Sequence, residues 1–192
     1  MTPQFDLKIK RLYIALGVVA PKDVTPDNID DYVVKTPFSF GVDFNRNANE
    51  VEQMDTLQRA VSNVASIKDY FKSWCKSNGQ KESLVEDVIN NNQSVALIHD
   101  LWNIDKHETL NRPPRSGVTP HIEIIGNAFQ MGGNITTDVE KDGTTIRGGG
   151  VVLMADVVDE AGNKLGHFHK ICEEAIDVWT VELKSAGVPI SY

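Results

Sequence analysis

Between Val51 and Cys75 the apolar residues return at steps of three and four: Met54, Leu57, Val61 and Val64, then Ile67, Phe71 and Trp74. A helix is the element that gathers such a spacing on one face, and a face this apolar has to be covered by a second layer. Lys76 to Gly79 (KSNG) adds a basic last turn and a glycine stop. The pattern therefore predicts a helix over about 50–76. A shorter one is expected over 83–90, where Glu86 follows Ser83 at capping-box spacing. Asn90 to Gln93 interrupts, and a third helix is expected over 94–109. Phe168, Cys172, Ala175 and Trp179, flanked by Ile171, Ile176 and Leu183, predict a last helix over 166–186, ended by Gly187 and Pro189.

Strand patterns occupy the rest. Phe38, Phe40, Val42 and Phe44 alternate with Ser39, Gly41 and Asp43, the period of a half-buried strand over 37–44. His121 to Ile125, Ile135 to Val139 and Thr144 to Val158 favour strands, separated by Gly132-Gly133 and by Asp142-Gly143, the latter a hairpin signal. Glu160 to Asn163 reads as a turn. Phe5 to Ile14 fits strand or helix equally, and Pro21, Pro26 and Asp27 to Asp31 mark a loop. The expectation is an α+β fold, with the helices packed on an antiparallel sheet formed mainly by 37–44 and 119–158. One domain over 1–192 is expected: a helical hairpin core at 50–109, a β-rich part at 118–160 and the C-terminal helix.

Composition narrows the function classes. At 192 residues the chain can bury a core without staples. Leu12 to Ala20, the longest early apolar run, is broken by Gly17 and bounded by Arg11 and Pro21, so neither a membrane helix nor a signal peptide is expected. Cys75 and Cys172 lie far apart inside helical patterns, which suits buried free thiols and a cytoplasmic location. A net charge of −8 argues against broad attraction to nucleic acid, so an RNA-binding hypothesis must name a local basic site.

One helix carries a candidate site. On a wheel of 100° per residue, Leu97, Ile98, Leu101, Trp102 and Ile104 share a broad apolar arc. Asp100, Asn103 and His107 fall opposite, flanked by His99 and Lys106. A carboxylate, an amide and an imidazole on one stripe could act as an acid–base set, with His107 as the proton carrier. A solvated polar face is the commoner meaning of such a stripe. Asp105 falls inside the apolar arc, where a carboxylate needs donors. Directly after this helix comes Asn111-Arg112-Pro113-Pro114-Arg115-Ser116-Gly117, a stiff loop whose two guanidiniums suit a phosphate or carboxylate. A rigid connector whose arginines pair with the chain's own acids is the competing reading.

Leu97 to His107 resembles a signature of bacterial hypothetical proteins in which a helix reads roughly D-L-x-N-x-D-K-H. The likeness extends through Phe38–Phe44, Asn63, Lys68-Asp69, Trp74-Cys75 and Arg115-Ser116-Gly117, and brings no established activity with it. More distantly, the helix is similar to the HEPN group of helical domains, many of them metal-independent ribonucleases of toxin and antiviral systems. Their motif is Arg, a polar residue that is usually Asn, three residues, then His. Asn103 and His107 match the last two elements, whereas Trp102 stands where the phosphate-stabilising Arg would be. The resemblance implies His107 as general acid or base, Asn103 orienting substrate, Asp100 beside them, and Arg112 or Arg115 holding phosphate.

The other motifs are weaker. Arg147-Gly148-Gly149-Gly150 lacks the Lys-Ser/Thr of a phosphate loop and leads into a strand, which favours a bulge. His167, His169 and Cys172 could supply three metal ligands but lack a second pair at finger spacing, so neither metal nor cofactor is expected. Three functions follow. The first is a non-catalytic sensor or binding module, defence-associated, in which Arg112, Arg115 and Lys106 hold a small anionic ligand, RNA or a partner protein. The second is a HEPN-like ribonuclease. The third is an assembly protein with a strand edge at a dimer contact, and a homodimer would also suit the second.

Overall fold

The computed structural model describes residues 33–35, 40–42, 49–107, 110, 112–140 and 143–189. The Phe5–Ile14 segment, Phe38, Phe44, Asn111 and Asp142 lie outside the described residues, as does the expected continuation of the third helix to residue 109.

The fold is α+β. A two-stranded antiparallel sheet pairs β1 (Val33–Lys35) with β2 (Phe40–Val42). Four helices follow: α1 (Glu50–Ala65), α2 (Ile67–Ser77), α3 (Ser83–Asn91) and α4 (Gln93–His107). A three-stranded antiparallel sheet, in the order β3-β4-β5, comprises β3 (His121–Glu140), β4 (Gly143–Val158) and β5 (Lys164–His167). Helix α5 (Phe168–Ser185) closes the described part of the chain.

Two expectations about the sheet need correction. The 37–44 segment does not join the main sheet among the described residues; its Phe40–Val42 part pairs with Val33–Lys35. The third strand of the main sheet is instead Lys164–His167, which lies across the expected start of the last helix. Four residues are too few to display a period of two. The 121–125 and 135–139 runs are one strand, with register shifts at Ile124/Gly126 and Met131/Thr136 where a residue or more escapes pairing.

The 50–76 helix is two. Ser66 turns its hydroxyl back to the Asn63 carbonyl at 2.8 Å, a bond that competes with the helical ladder, and α2 restarts at Ile67. At the start of α1 the Asn49 Oδ1 accepts from the N–H of Val51 at 3.0 Å, and Glu50 and Glu52 face the positive helix end. Gly79, at φ +67°, ends α2, and the Gln80 N–H reaches the Cys75 carbonyl at 2.9 Å.

The core gathers Leu57, Val61 and Val64 of α1, Phe71 and Cys75 of α2, Val85 and Ile89 of α3, and Phe168, Ile176, Trp179 and Leu183 of α5. Leu153, Ala155 and Val157 join it from one face of β4, so the helices cover that side of the sheet. Trp179 is 2% exposed and meets the Phe71 ring edge-on, with centroids 6.2 Å apart. Both cysteines are free and buried. No helix among the described residues is long and apolar enough to cross a membrane.

Helix α4 packs against α1, α3 and α5 at once. Every residue from Val95 to Leu101 is therefore buried, whichever way it points. The polar residues His99 and Asp100 are thus drawn inside, while Asp105, Lys106 and His107 emerge into solvent at the C-terminal turn.

Candidate functional site

Asp100 and Arg115 hold the proline loop in place. The Asp100 carboxylate, 0% exposed, accepts from both the N–H and the hydroxyl of Ser116 at 2.8 Å through Oδ2. Its Oδ1 is buried without a hydrogen-bond partner among the described residues. Gln93 Nε2 donates to the Ser116 carbonyl at 3.0 Å. Pro114 to Gly117 closes a turn, with the Gly117 N–H 3.2 Å from the Pro114 carbonyl and Gly117 at φ +80°, a conformation that suits glycine. Arg115 reaches α3, where Nη1 lies 2.6 Å from Glu86 Oε2 and 3.1 Å from Asn90 Oδ1. Glu86 thus serves the loop and makes no capping-box bond to the start of α3. Burial works against its ionisation, but Arg115 outweighs that and holds the carboxyl below its usual range, with Lys68 adding to the effect.

Pinned at Arg115 and Ser116, the loop carries Arg112 back over α4. There its Nη2 lies 3.4 Å from Nδ1 of His99. His99 is 4% exposed and is the centre of the cluster. Asn103 Nδ2 lies 2.8 Å from the same Nδ1 and 2.9 Å from the His99 carbonyl, one turn earlier on α4. From α2, Lys68 Nζ lies 2.9 Å from His99 Nε2. The half-buried Trp102 ring forms a wall: it meets His99 edge-on at 6.1 Å, with Lys68 Nζ 4.6 Å and Lys106 Nζ 5.0 Å from its centroid.

Burial is the main reason the His99 imidazole is pushed down to about 3, and the charges of Lys68, Arg115 and Arg112 push the same way against Glu86. Burial also lowers Lys68 below the ordinary lysine range, with Arg115 and Arg112 adding and Asp69 and Glu86 opposing. The cluster is rich in donors and in positive charge. Among the described residues no carboxylate stands within ion-pair distance of Arg112, Lys68 or Lys106, whereas Arg115 has Glu86.

The structure therefore brings Asn103 and Arg112 together at His99 Nδ1, sets Lys106 against the Trp102 ring, makes Arg115 an anchor on α3 and uses Asp100 to fix the loop. His107 stands apart, exposed at the end of α4, and no hydrogen bond or ion pair among the described residues involves it. The histidine that the arginine faces is His99. The sequence marks His99 only as a flank of the stripe and Lys68 only within the resemblance, because a wheel assigns solvent to one side of a helix that is enclosed on several and says nothing of a residue on another helix. One signal was available: the run Val95 to Ile98 is apolar at four consecutive positions, as on a helix buried all round.

The other candidates resolve into structure. Asp156 joins β4 to β5 by Oδ2 to Lys164 Nζ at 2.7 Å and Oδ1 to His167 Nδ1 at 2.8 Å. His169 sets its ring against Phe168, and Cys172 is enclosed in the core, its thiol driven up by burial. Among the described residues no three His, Cys, Asp or Glu side chains converge as metal ligands would. No family model, curated protein or solved structure matches the chain.

Proposed function

We propose that the chain is a non-catalytic binding module for a small anionic ligand, held by Arg112 with Lys106 beside the Trp102 ring, over His99. One observation carries this reading: Arg112 is exposed, reaches back over a buried neutral imidazole, and has no carboxylate partner among the described residues. On a chain of net charge −8, a guanidinium with no carboxylate against it among the described residues suits an anion. The exposed Lys106 ammonium beside the Trp102 ring suits phosphate or carboxylate oxygens, whereas both hydrogens of Asn103 Nδ2 are taken by His99.

The ribonuclease reading draws less support from the same geometry. A ring held near 3 takes up no proton at neutral pH, so His99 cannot serve as a general acid there. His107 is far more accessible but has no partner to orient it among the described residues.

A melting series with phosphate, pyrophosphate, citrate and acetate tests the proposal. A ligand at about 100 times its Kd stabilises by about 2.7 kcal/mol, which corresponds to a rise of roughly 5–10 °C for a chain of this size. Arg112→Ala is expected to abolish the shift without lowering the melting point of the free protein. Cleavage of RNA without added metal, lost in His107→Ala, would instead establish the enzyme.

A further inference from the structure

His99 is surrounded by nitrogen donors. Lys68 Nζ faces Nε2 at 2.9 Å, while Asn103 Nδ2 at 2.8 Å and Arg112 Nη2 at 3.4 Å face Nδ1. A neutral imidazole has one accepting nitrogen and one N–H. If Nε2 accepted from a lysine ammonium, the Nδ1 proton would collide with the amide and guanidinium hydrogens. Exchanging the oxygen and nitrogen of Asn103 does not relieve this, because Nδ2 also bonds to the His99 carbonyl at 2.9 Å, and an amide oxygen there would face another oxygen. Arg112 gives up no proton. Nδ1 is therefore the acceptor and Nε2 carries the hydrogen. The atom opposite it, Lys68 Nζ, must then present a lone pair.

The surroundings fit an unprotonated Lys68. It is half-buried, Arg112 and Arg115 bear on it from the loop, and of the two acids that oppose them, Glu86 on α3 is taken up by Arg115 and Asp69 lies exposed on α2. The Trp102 face, 4.6 Å away, receives the N–H of a neutral amine as well as an ammonium.

We propose that Lys68 Nζ is a nucleophilic amine that captures small anionic aldehydes or 2-oxo acids as an imine, with Arg112 on the acid group; the choice of an anionic carbonyl compound rests on the anion-binding reading above. The Nζ lone pair adds to the carbonyl carbon, the π pair moves to oxygen, and a proton passes from nitrogen to that oxygen to give a carbinolamine. Loss of the hydroxyl together with the remaining N–H proton, as water, leaves the C=N bond. The net change is amine plus carbonyl to imine plus water, with no oxidant or reductant. The imine nitrogen keeps its lone pair, so the His99 Nε2–H retains its acceptor.

The test uses the full chain at pH 7 with glyoxylate and cyanoborohydride, and peptide mapping of the reduced adduct. An ordinary lysine has about one amine in 2,500 free at this pH. Lys68 is expected to be modified at least tenfold faster than the exposed Lys72, and Arg112→Ala to slow glyoxylate several times more than formaldehyde, which feels only the loss of the Arg112 charge beside the amine. Because access alone could slow labelling, the carbon-13 resonances of Lys68, assigned with Lys68→Gln, are also titrated. They are expected to move well below the ordinary lysine range. Titration at about 10, the ordinary value, overturns the inference even if pyrophosphate still binds, and leaves the anion site standing. Glyoxylate and formaldehyde labelling Lys68 at equal rates, with no effect of Arg112→Ala, overturns the assignment to anionic carbonyl compounds.

Discussion

A histidine buried on a helix that three others enclose, and facing the Arg112 guanidinium, remains there without a proton, and this makes His99 a determinant of acid stability. Its pKa is about 3 in the folded chain against about 6.5 when unfolded. Below pH 6.5 the unfolded chain binds a proton that the folded chain refuses. Stability therefore falls as the pH drops, by about 1.4 kcal/mol per pH unit down to the folded value. Urea unfolding at pH 7 and pH 4.5 should show His99→Gln losing about 2–3 kcal/mol less than the wild type over that interval; equal losses would mean that the ring takes up its proton while folded. Asp100 gives a second residue-scale prediction. Asp100→Ala leaves the Ser116 N–H without its acceptor, while the hydroxyl keeps the Val118 carbonyl at 2.8 Å, and is expected to cost about 1–3 kcal/mol in the same assay. A loss well under 1 kcal/mol would show that the loop holds itself. The sequence placed Asn103, Lys106, Arg112 and Arg115 near one another, because they are close along the chain. It could not place Lys68, which lies 31 residues before His99 and meets it only through helix packing.

At the scale of elements, apolar period was the readable signal, and it failed where local chemistry or length intervened. The helical stripes at 50–76 and 166–186 are present, but the Ser66 hydroxyl divides the first, and strand β5 takes the start of the second. The turn at Glu160 to Asn163 was legible from its composition, and the structure adds Asp159, whose Oδ1 accepts from the N–H groups of Ala161 and Asn163 at 2.9 and 2.8 Å, with Gly162 at φ +79°. The partner of Phe40–Val42 was not, because pairing between strands leaves no mark in either segment alone. Helix α5 bears on the core most heavily through Trp179. Trp179→Ala should lower unfolding free energy by about 3–5 kcal/mol, since the indole is buried and the Phe71 edge contact is lost with it. Urea midpoints report this directly, and a change below 1 kcal/mol would place the ring outside the core.

For the molecule as a whole, the informative quantity is the contrast between an acidic chain and the exposed Arg112 and Lys106 charges of the proline loop and α4. On the proposed reading these charges concentrate small anions against the repulsion of the remaining surface, and salt should weaken binding strongly because Arg112 and Lys106 are exposed. Raising the ionic strength from about 0.01 M to 0.1 M shortens the screening length from about 30 to 10 Å and should lower affinity severalfold. The central claim is tested most directly by calorimetric titration of pyrophosphate into the wild type and Arg112→Ala at low ionic strength. Saturable binding that weakens at least tenfold in the variant, a loss of about 1.4 kcal/mol, is the predicted result. Equal affinity in the two proteins, or no binding by the wild type at millimolar ligand, would contradict it.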